Sequence, residues 1–148
     1  MTDNTPQAIV LRHIELYSDG TPESYGSDRF LSVWAEDSLQ ELLPSAQFPQ
    51  GAVFRGMESI RSNLAAVSRA FRNRRLDVHD VIATGDRVAV RHTWSAVAAV
   101  DLPSCPAGET MRLECADFFT VKDGLIHRMV EIAGPPLIGK APPKAETK

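Results

Sequence analysis

The stretch Cys115-Ala116-Asp117-Phe118-Phe119-Thr120-Val121-Lys122-Asp123-Gly124-Leu125-Ile126 decides the fold class. It alternates through a β-type run, breaks at an Asp-Gly pair suited to a tight hairpin turn, and resumes as a second β-type run. Extended outward, it gives strands over residues 109–121 and 125–132. Upstream, residues 87–100 read as a long Val-rich strand with Val88, Val90, His92, Trp94 and Ala96 on one face. Residues 76–83 form a further strand joined to it by Thr84-Gly85-Asp86, while Pro103, Pro106 and Gly108 mark residues 101–108 as a loop.

Ahead of this sheet the periodicity changes. Met57, Ile60, Leu64, Val67 and Phe71 fall on one stripe, which predicts an amphipathic helix over residues 56–73. Pro6, with Thr5 as cap, opens a first helix carrying Ile9, Val10, Ile14, Leu16 and Tyr17 up to Ser18-Asp19-Gly20. Residues 27–35, with Phe30, Leu31, Val33 and Trp34, read as a second helix. Residues 38–43 read as a short strand stopped by Pro44, and residues 45–54 as a loop. Helices first and antiparallel strands afterwards is an α+β order. One domain over residues 1–134 is expected, followed by a Pro- and Lys-rich tail over 135–148 that is expected to be mobile.

Composition narrows the function. A chain of 148 residues buries roughly 70% of its unfolded surface, enough for one core without disulfide or metal staples. Its formal net charge of -3 suits neither nucleic acid nor an anionic membrane surface. No run approaches 18 apolar residues, and Met1 to Pro6 lacks the basic, then apolar, pattern of a signal peptide, so a cytoplasmic location is expected. Cys105 and Cys115 make neither a disulfide framework nor a CxxC pair. No glycine-rich phosphate loop and no metal-ligand spacing occur, so no cofactor and no metal are expected.

Four segments resemble the nuclear transport factor 2-like superfamily, in particular its SnoaL-like and ketosteroid-isomerase-like branch. They are Arg12-His13-Ile14-Glu15-Leu16-Tyr17, Phe54-Arg55-Gly56-Met57-Glu58-Ser59-Ile60-Arg61, Gly85-Asp86-Arg87-Val88-Ala89-Val90-Arg91, and Ala116 to Val121 running on through Asp123-Gly124-Leu125-Ile126. The resemblance implies a cone, in which a curved antiparallel sheet wraps around three N-terminal helices and encloses a deep apolar pocket. It also implies a homodimer formed through the sheet and a small apolar ligand or substrate. It does not fix a reaction, because the superfamily holds isomerases, cyclases, dehydratases, epoxide hydrolases and binding modules.

The candidate catalytic residues are Asp117, His92, Glu131 and His13. Asp117 interrupts an apolar strand and shares its face with Cys115 and Phe119. Burial there raises a carboxyl pKa by up to about 3–5 units, so it either stays protonated or pairs with an Arg or His on a neighbouring strand. By resemblance it matches the oxyanion-hole Asp of ketosteroid isomerases, while the assisting tyrosine falls on His13 and the catalytic base near Leu42. Glu41, next door, points to the opposite face of the strand. His92 titrates near neutrality and shares the Val90–Trp94 face, as a proton shuttle or a satisfied core histidine. In epoxide-hydrolase-like relatives an Arg-x-Asp pair occupies the positions of His92 and Trp94. Glu131 matches an acid of epoxide hydrolases and SnoaL-type cyclases, or lies as an edge carboxylate in solvent; the cyclases' partner histidine falls near Ala98. His13 reaches the pocket or lies on the surface. Tyr17, Trp34, Trp94, Phe119 and Met129 are expected to line the pocket. Arg72, Arg74 and Arg75 read as a solvated basic run at a helix end.

Two classes of function follow. One is a cofactor-free enzyme acting on an apolar carbonyl compound, with Asp117 stabilising an oxyanion and His92 and Glu131 handling protons. The other is a ligand-binding or dimerisation module that uses the same pocket for affinity alone.

Overall fold

A computed structural model describes residues 3–18 and 28–139. Helix α1 (Pro6–Tyr17) opens on Thr5, whose hydroxyl accepts from the Ala8 amide, with Pro6 in the first turn. Helix α2 (Asp28–Leu31) is followed by strand β1 (Trp34–Leu42), strand β2 (Ala52–Arg55) and helix α3 (Met57–Ala70). Strands β3 (Phe71–Thr84), β4 (Arg87–Ala98), β5 (Thr110–Lys122), β6 (Leu125–Ala133) and the short β7 (Leu137–Ile138) complete the chain. The sheet order is β2-β1-β6-β5-β4-β3, with β7 pairing beside β6 on β5. No described helix is long and apolar enough to cross a membrane.

The α+β class and the curved, unclosed sheet agree with the sequence, but several elements differ. The sheet is mixed, because β1 runs parallel to β6. Strands β1 and β2 precede α3, so the helices do not all come first. The expected helix over 27–35 is a single turn, and Trp34 and Ala35 begin β1. A short apolar run carries no decisive period, and here the β-prone Val33-Trp34 pair wins. Residues 52–55 of the expected loop are paired, from Leu42↔Ala52 to Leu39↔Arg55. Helix α3 stops at Ala70 because Phe71 already pairs with Ala98. A register shift between Arg72 and Arg75, with Asn73 at φ 55°, then turns Arg74 inward, where it donates to the Phe71 carbonyl. Arg74 is therefore buried and not part of a solvated basic run. The first residues of the expected tail add β7 to the sheet, and residues 140–148 lie outside the described residues.

The β5–β6 hairpin positions the site. Asp123 (φ 53°) and Gly124 (φ 74°) both adopt the left-handed conformation that a type I′ turn requires. Val121 faces Ile126, but Thr120 faces Arg128, so His127 is an extra residue on β6. This bulge moves every later residue of β6 to the opposite face: Met129 becomes buried, and Glu131 comes to face Asp117. Two apolar clusters flank that level of the sheet. Val88, Val90 and Phe119 pack with α1 and α2 on one side, and Trp94, Leu113 and Phe71 form the other.

Candidate active site

Antiparallel partners that sit directly opposite share a face. Asp117 lies between Val90 on β4 and Glu131 on β6, and the neighbouring rung pairs His92 with Cys115. The concave face therefore carries four ionisable groups at one level, between two apolar clusters.

Asp117 and His92 are 4% and 1% exposed, and His92 Nε2 lies 2.8 Å from Asp117 Oδ2. Of the alternatives left open for Asp117, the structure shows the pairing with a histidine on the neighbouring strand. The other oxygen, Oδ1, is buried and makes no hydrogen bond among the described residues. The register sets this carboxyl opposite that of Glu131, where a proton on Glu131 would supply a bond between the two. Burial pushes the Asp117 pKa up to about 7, and the bond from Glu131 pulls it back down. Glu131 is raised well above its ordinary value by burial, then by the negative charge of Asp117 and by donating that bond. Burial thus favours the protonated form of both carboxyls, and their mutual interaction favours a proton on Glu131 over one on Asp117.

His92 is held neutral by burial, which lowers its pKa against the opposing pull of Glu131 and Glu114. With a carboxylate on Asp117, the bond places the imidazole proton on Nε2 and leaves Nδ1, which is buried and unpartnered, as a lone pair. His13 is buried and not on the surface. Its Nδ1 accepts from Trp34 Nε1 at 3.3 Å, and burial, followed by the nearby His92, lowers its pKa to about 3. It is a neutral imidazole with its proton on Nε2. Tyr17 anchors Trp94, whose Nε1 donates to the Tyr17 hydroxyl at 2.7 Å.

A cavity of about 110 Å³ opens onto this wall. That is small beside the roughly 300–1,000 Å³ of ordinary ligand pockets. His13, Tyr17, Trp94, Asp117, Met129 and Glu131 line it. Glu131 is no edge carboxylate, because β6 lies between β5 and β1. His92 does not reach the lining and meets the cavity only through Asp117. Trp34 and Phe119 are also set back from the lining, packing edge-on against the His13 ring at 5.2 and 5.7 Å. Leu42 does line the cavity, as its strand parity predicts, while Glu41 turns outward to Arg128.

Sequence reading missed Gln40, Gln47, Phe48 and Asn63 on the wall. The alternation Ser38, Gln40, Leu42 along β1 was the available signal, since Ser38 and Gln40 are both buried. It also missed that His92, Cys115 and Glu131 bring ligand-type atoms within 4.8 Å of one another. Register, not sequence spacing, creates that group. Burial drives the Cys115 thiol far above its ordinary pKa, so it is a protonated, packed side chain.

The family model for the SnoaL-like domain matches residues 10–129. A candidate polyketide cyclase from Xanthomonas campestris pv. campestris is 26% identical, with a TM-score of 0.70 over 87% of this chain and 91% of that one. A candidate polyketide cyclase from Pseudomonas putida is 22% identical, with a TM-score of 0.69 over 86% and 90%. IdmH, a candidate polyketide cyclase from Streptomyces antibioticus, is 22% identical, with a TM-score of 0.68 over 87% and 91%. No curated protein matches the chain.

Proposed function

The chain belongs to the SnoaL-like domain family, and on that premise we propose that it is a cofactor-free enzyme moving a proton at carbon in an apolar carbonyl compound. Isomerisation, cyclisation and dehydration all begin with this step. The observation that carries the reading is the buried Asp117 carboxyl set directly opposite Glu131 on the wall of an apolar cavity.

In this reading the roles of Asp117 and Glu131 are exchanged relative to the sequence expectation. Asp117, with a pKa near 7 and oriented by the His92 Nε2–H, is the general base. It takes a proton from the carbon beside the carbonyl, and the C–H electron pair moves onto the carbonyl oxygen to give an enolate. As Asp117 takes up that proton, the Glu131 O–H turns from Asp117 to the oxygen and, with the Nε2–H of His13, supplies its hydrogen bonds. His92 is a positioning residue, because it does not touch the cavity. In an isomerisation the Asp117 carboxyl returns the proton to a different carbon; in a cyclisation the enolate carbon attacks a second carbonyl.

The test is deuterium exchange into 2-tetralone in D₂O, followed by proton NMR. The wild type is expected to accelerate exchange, and Asp117→Asn to lower the rate on the order of 100-fold or more. An Asp117→Asn protein that exchanges as fast as wild type refutes the assignment. The small cavity favours the second reading, a module that only binds ligand, and that refuting result would select it. The proposal also includes a homodimer through the outer face of the sheet, where Ile82, Phe118 and Ile132 are exposed, to be checked by analytical ultracentrifugation. A cytoplasmic setting fits the two free, buried cysteines.

A further inference from the structure

Gln40 is 6% exposed, lines the cavity, and its carboxamide has no hydrogen-bond partner among the described residues. Its polar atoms are not among those sealed without a partner, so the carboxamide is open to whatever occupies the cavity. Its place is fixed by register: Leu42 faces Glu131, and Gln40 faces Met129 one rung along. Two residues of strand separate those rungs, about 6.5 Å. Asn63, on α3, brings a second carboxamide to the same wall. Among the described residues no lysine or arginine lines this cavity.

We propose that Gln40, with Asn63, forms a neutral subsite that reads a second, uncharged oxygen of the substrate, roughly one six-membered ring away from the carbonyl held at the carboxyl pair. This deepens the proposed function and rests on it for the position of the reacting carbonyl. The carboxamide can donate to a ketone or ester oxygen and accept from a hydroxyl. With no cation on the wall and the carboxyl pair nearby, a free carboxylate finds no partner and meets repulsion. The substrate class is therefore a flat, uncharged compound with oxygens at both ends.

Three single-ring probes separate the terms when dissociation constants are measured by titration calorimetry at pH 6. In each probe the phenol hydroxyl takes the place of the enolic oxygen at the carboxyl pair, so 4-hydroxyacetophenone sets its ketone at Gln40, 4-ethylphenol lacks that second oxygen at nearly the same shape, and 4-hydroxybenzoate replaces it by an anion. Wild type is expected to bind 4-hydroxyacetophenone about tenfold more tightly than 4-ethylphenol, as one neutral hydrogen bond allows, and 4-hydroxybenzoate more weakly than either. Gln40→Met, which keeps the volume, is expected to bring the first ratio to within about twofold of unity while 4-ethylphenol affinity holds. Asn63→Leu, at a half-buried position, is expected to lower the same ratio partway. A Gln40→Met protein with the wild-type ratio overturns the proposal, as does a wild type that binds none of the probes or prefers the carboxylate. The deuterium exchange of Asp117→Asn reports on the chemistry alone, so the two readings fail separately.

Discussion

Replacing Asp117 with Asn removes an ionisation that the fold opposes. The free-chain carboxyl titrates at 3.8 and the buried one at about 7, so the native state keeps its proton after the unfolded state has lost it. The sign follows: this group's contribution to stability is greatest below pH 3.8, declines as pH rises toward 7, and stays flat above. About three pKa units at 1.36 kcal/mol each amount to a loss of about 4 kcal/mol across that window. Glu131, raised in the same direction, adds to it in wild type and is relieved of the Asp117 charge in the variant. His13 and His92 are both lowered, so they act in the opposite sense and mask the effect in the wild-type curve alone. The measurement is therefore a difference: urea denaturation of wild type and Asp117→Asn at half-unit steps from pH 4 to 8. The variant is expected to gain about 4 kcal/mol on wild type between the two ends, whatever its offset at pH 4. A difference that stays constant to within about 1 kcal/mol means that Asp117 titrates in the folded state as it does in water, and the burial argument falls.

Other perturbations test separate parts of the structure. His13, neutral down to about pH 3 in the fold, should cost about 3 kcal/mol of stability between pH 6.5 and 4, and His13→Gln should flatten that acid limb while keeping an acceptor for Trp34. The limb is read by denaturation, and the native titration by imidazole NMR. Gly51 sits at φ 76°, and a Cβ there would lie 2.8 Å from the Leu42 carbonyl; Gly51→Ala should therefore lose about 1–3 kcal/mol and disturb the loop carrying Gln47 and Phe48. Phe30, 1% exposed beside the cavity, should cost about 3–5 kcal/mol as Ala, measured as a lowered denaturation midpoint. Trp94→Phe removes the bond to Tyr17 and should cost about 1 kcal/mol by the same measurement.

Strand parity alone placed Asp117 and His92 on the buried face, because a period of two survives errors of a residue or two at strand ends. It could not bring Glu131 to Asp117. Run back from the Asp-Gly turn without interruption, the hairpin would set Asp117 against Val130 and turn Glu131 outward. The extra residue at His127 reverses this, and nothing in Ile126-His127-Arg128 announces a bulge. Gln40 escaped for a different reason. Its strand was read two rungs too short, and its importance comes from β1 docking in parallel on β6, a pairing between residues about ninety positions apart in sequence. His13 was legible as a helix position facing Ile9 and Leu16, but its neutrality comes from burial among rings that include the indole of Trp34, which the sequence reading had put in a helix. Local pattern reached the faces, and only tertiary register reached the constellation.

The bulge at His127 also bears on how the molecule reaches its native state. In the uninterrupted register the inner face of β6 would carry Ile126, Arg128, Val130 and Ile132; in the native one it carries Ile126, Met129, Glu131 and Ala133. Each set holds three apolar residues and one charged one, so a nascent β5–β6 hairpin, closing within microseconds, has little in its own sequence to choose between the two registers. The pairing of β1, Leu39 with Arg128 and Leu42 with Glu131, selects the native one, and it arrives by closing a loop of about ninety residues. The carboxyl pair is consequently expected among the last features to assemble, so that refolding followed by tryptophan fluorescence should run ahead of the return of ligand binding.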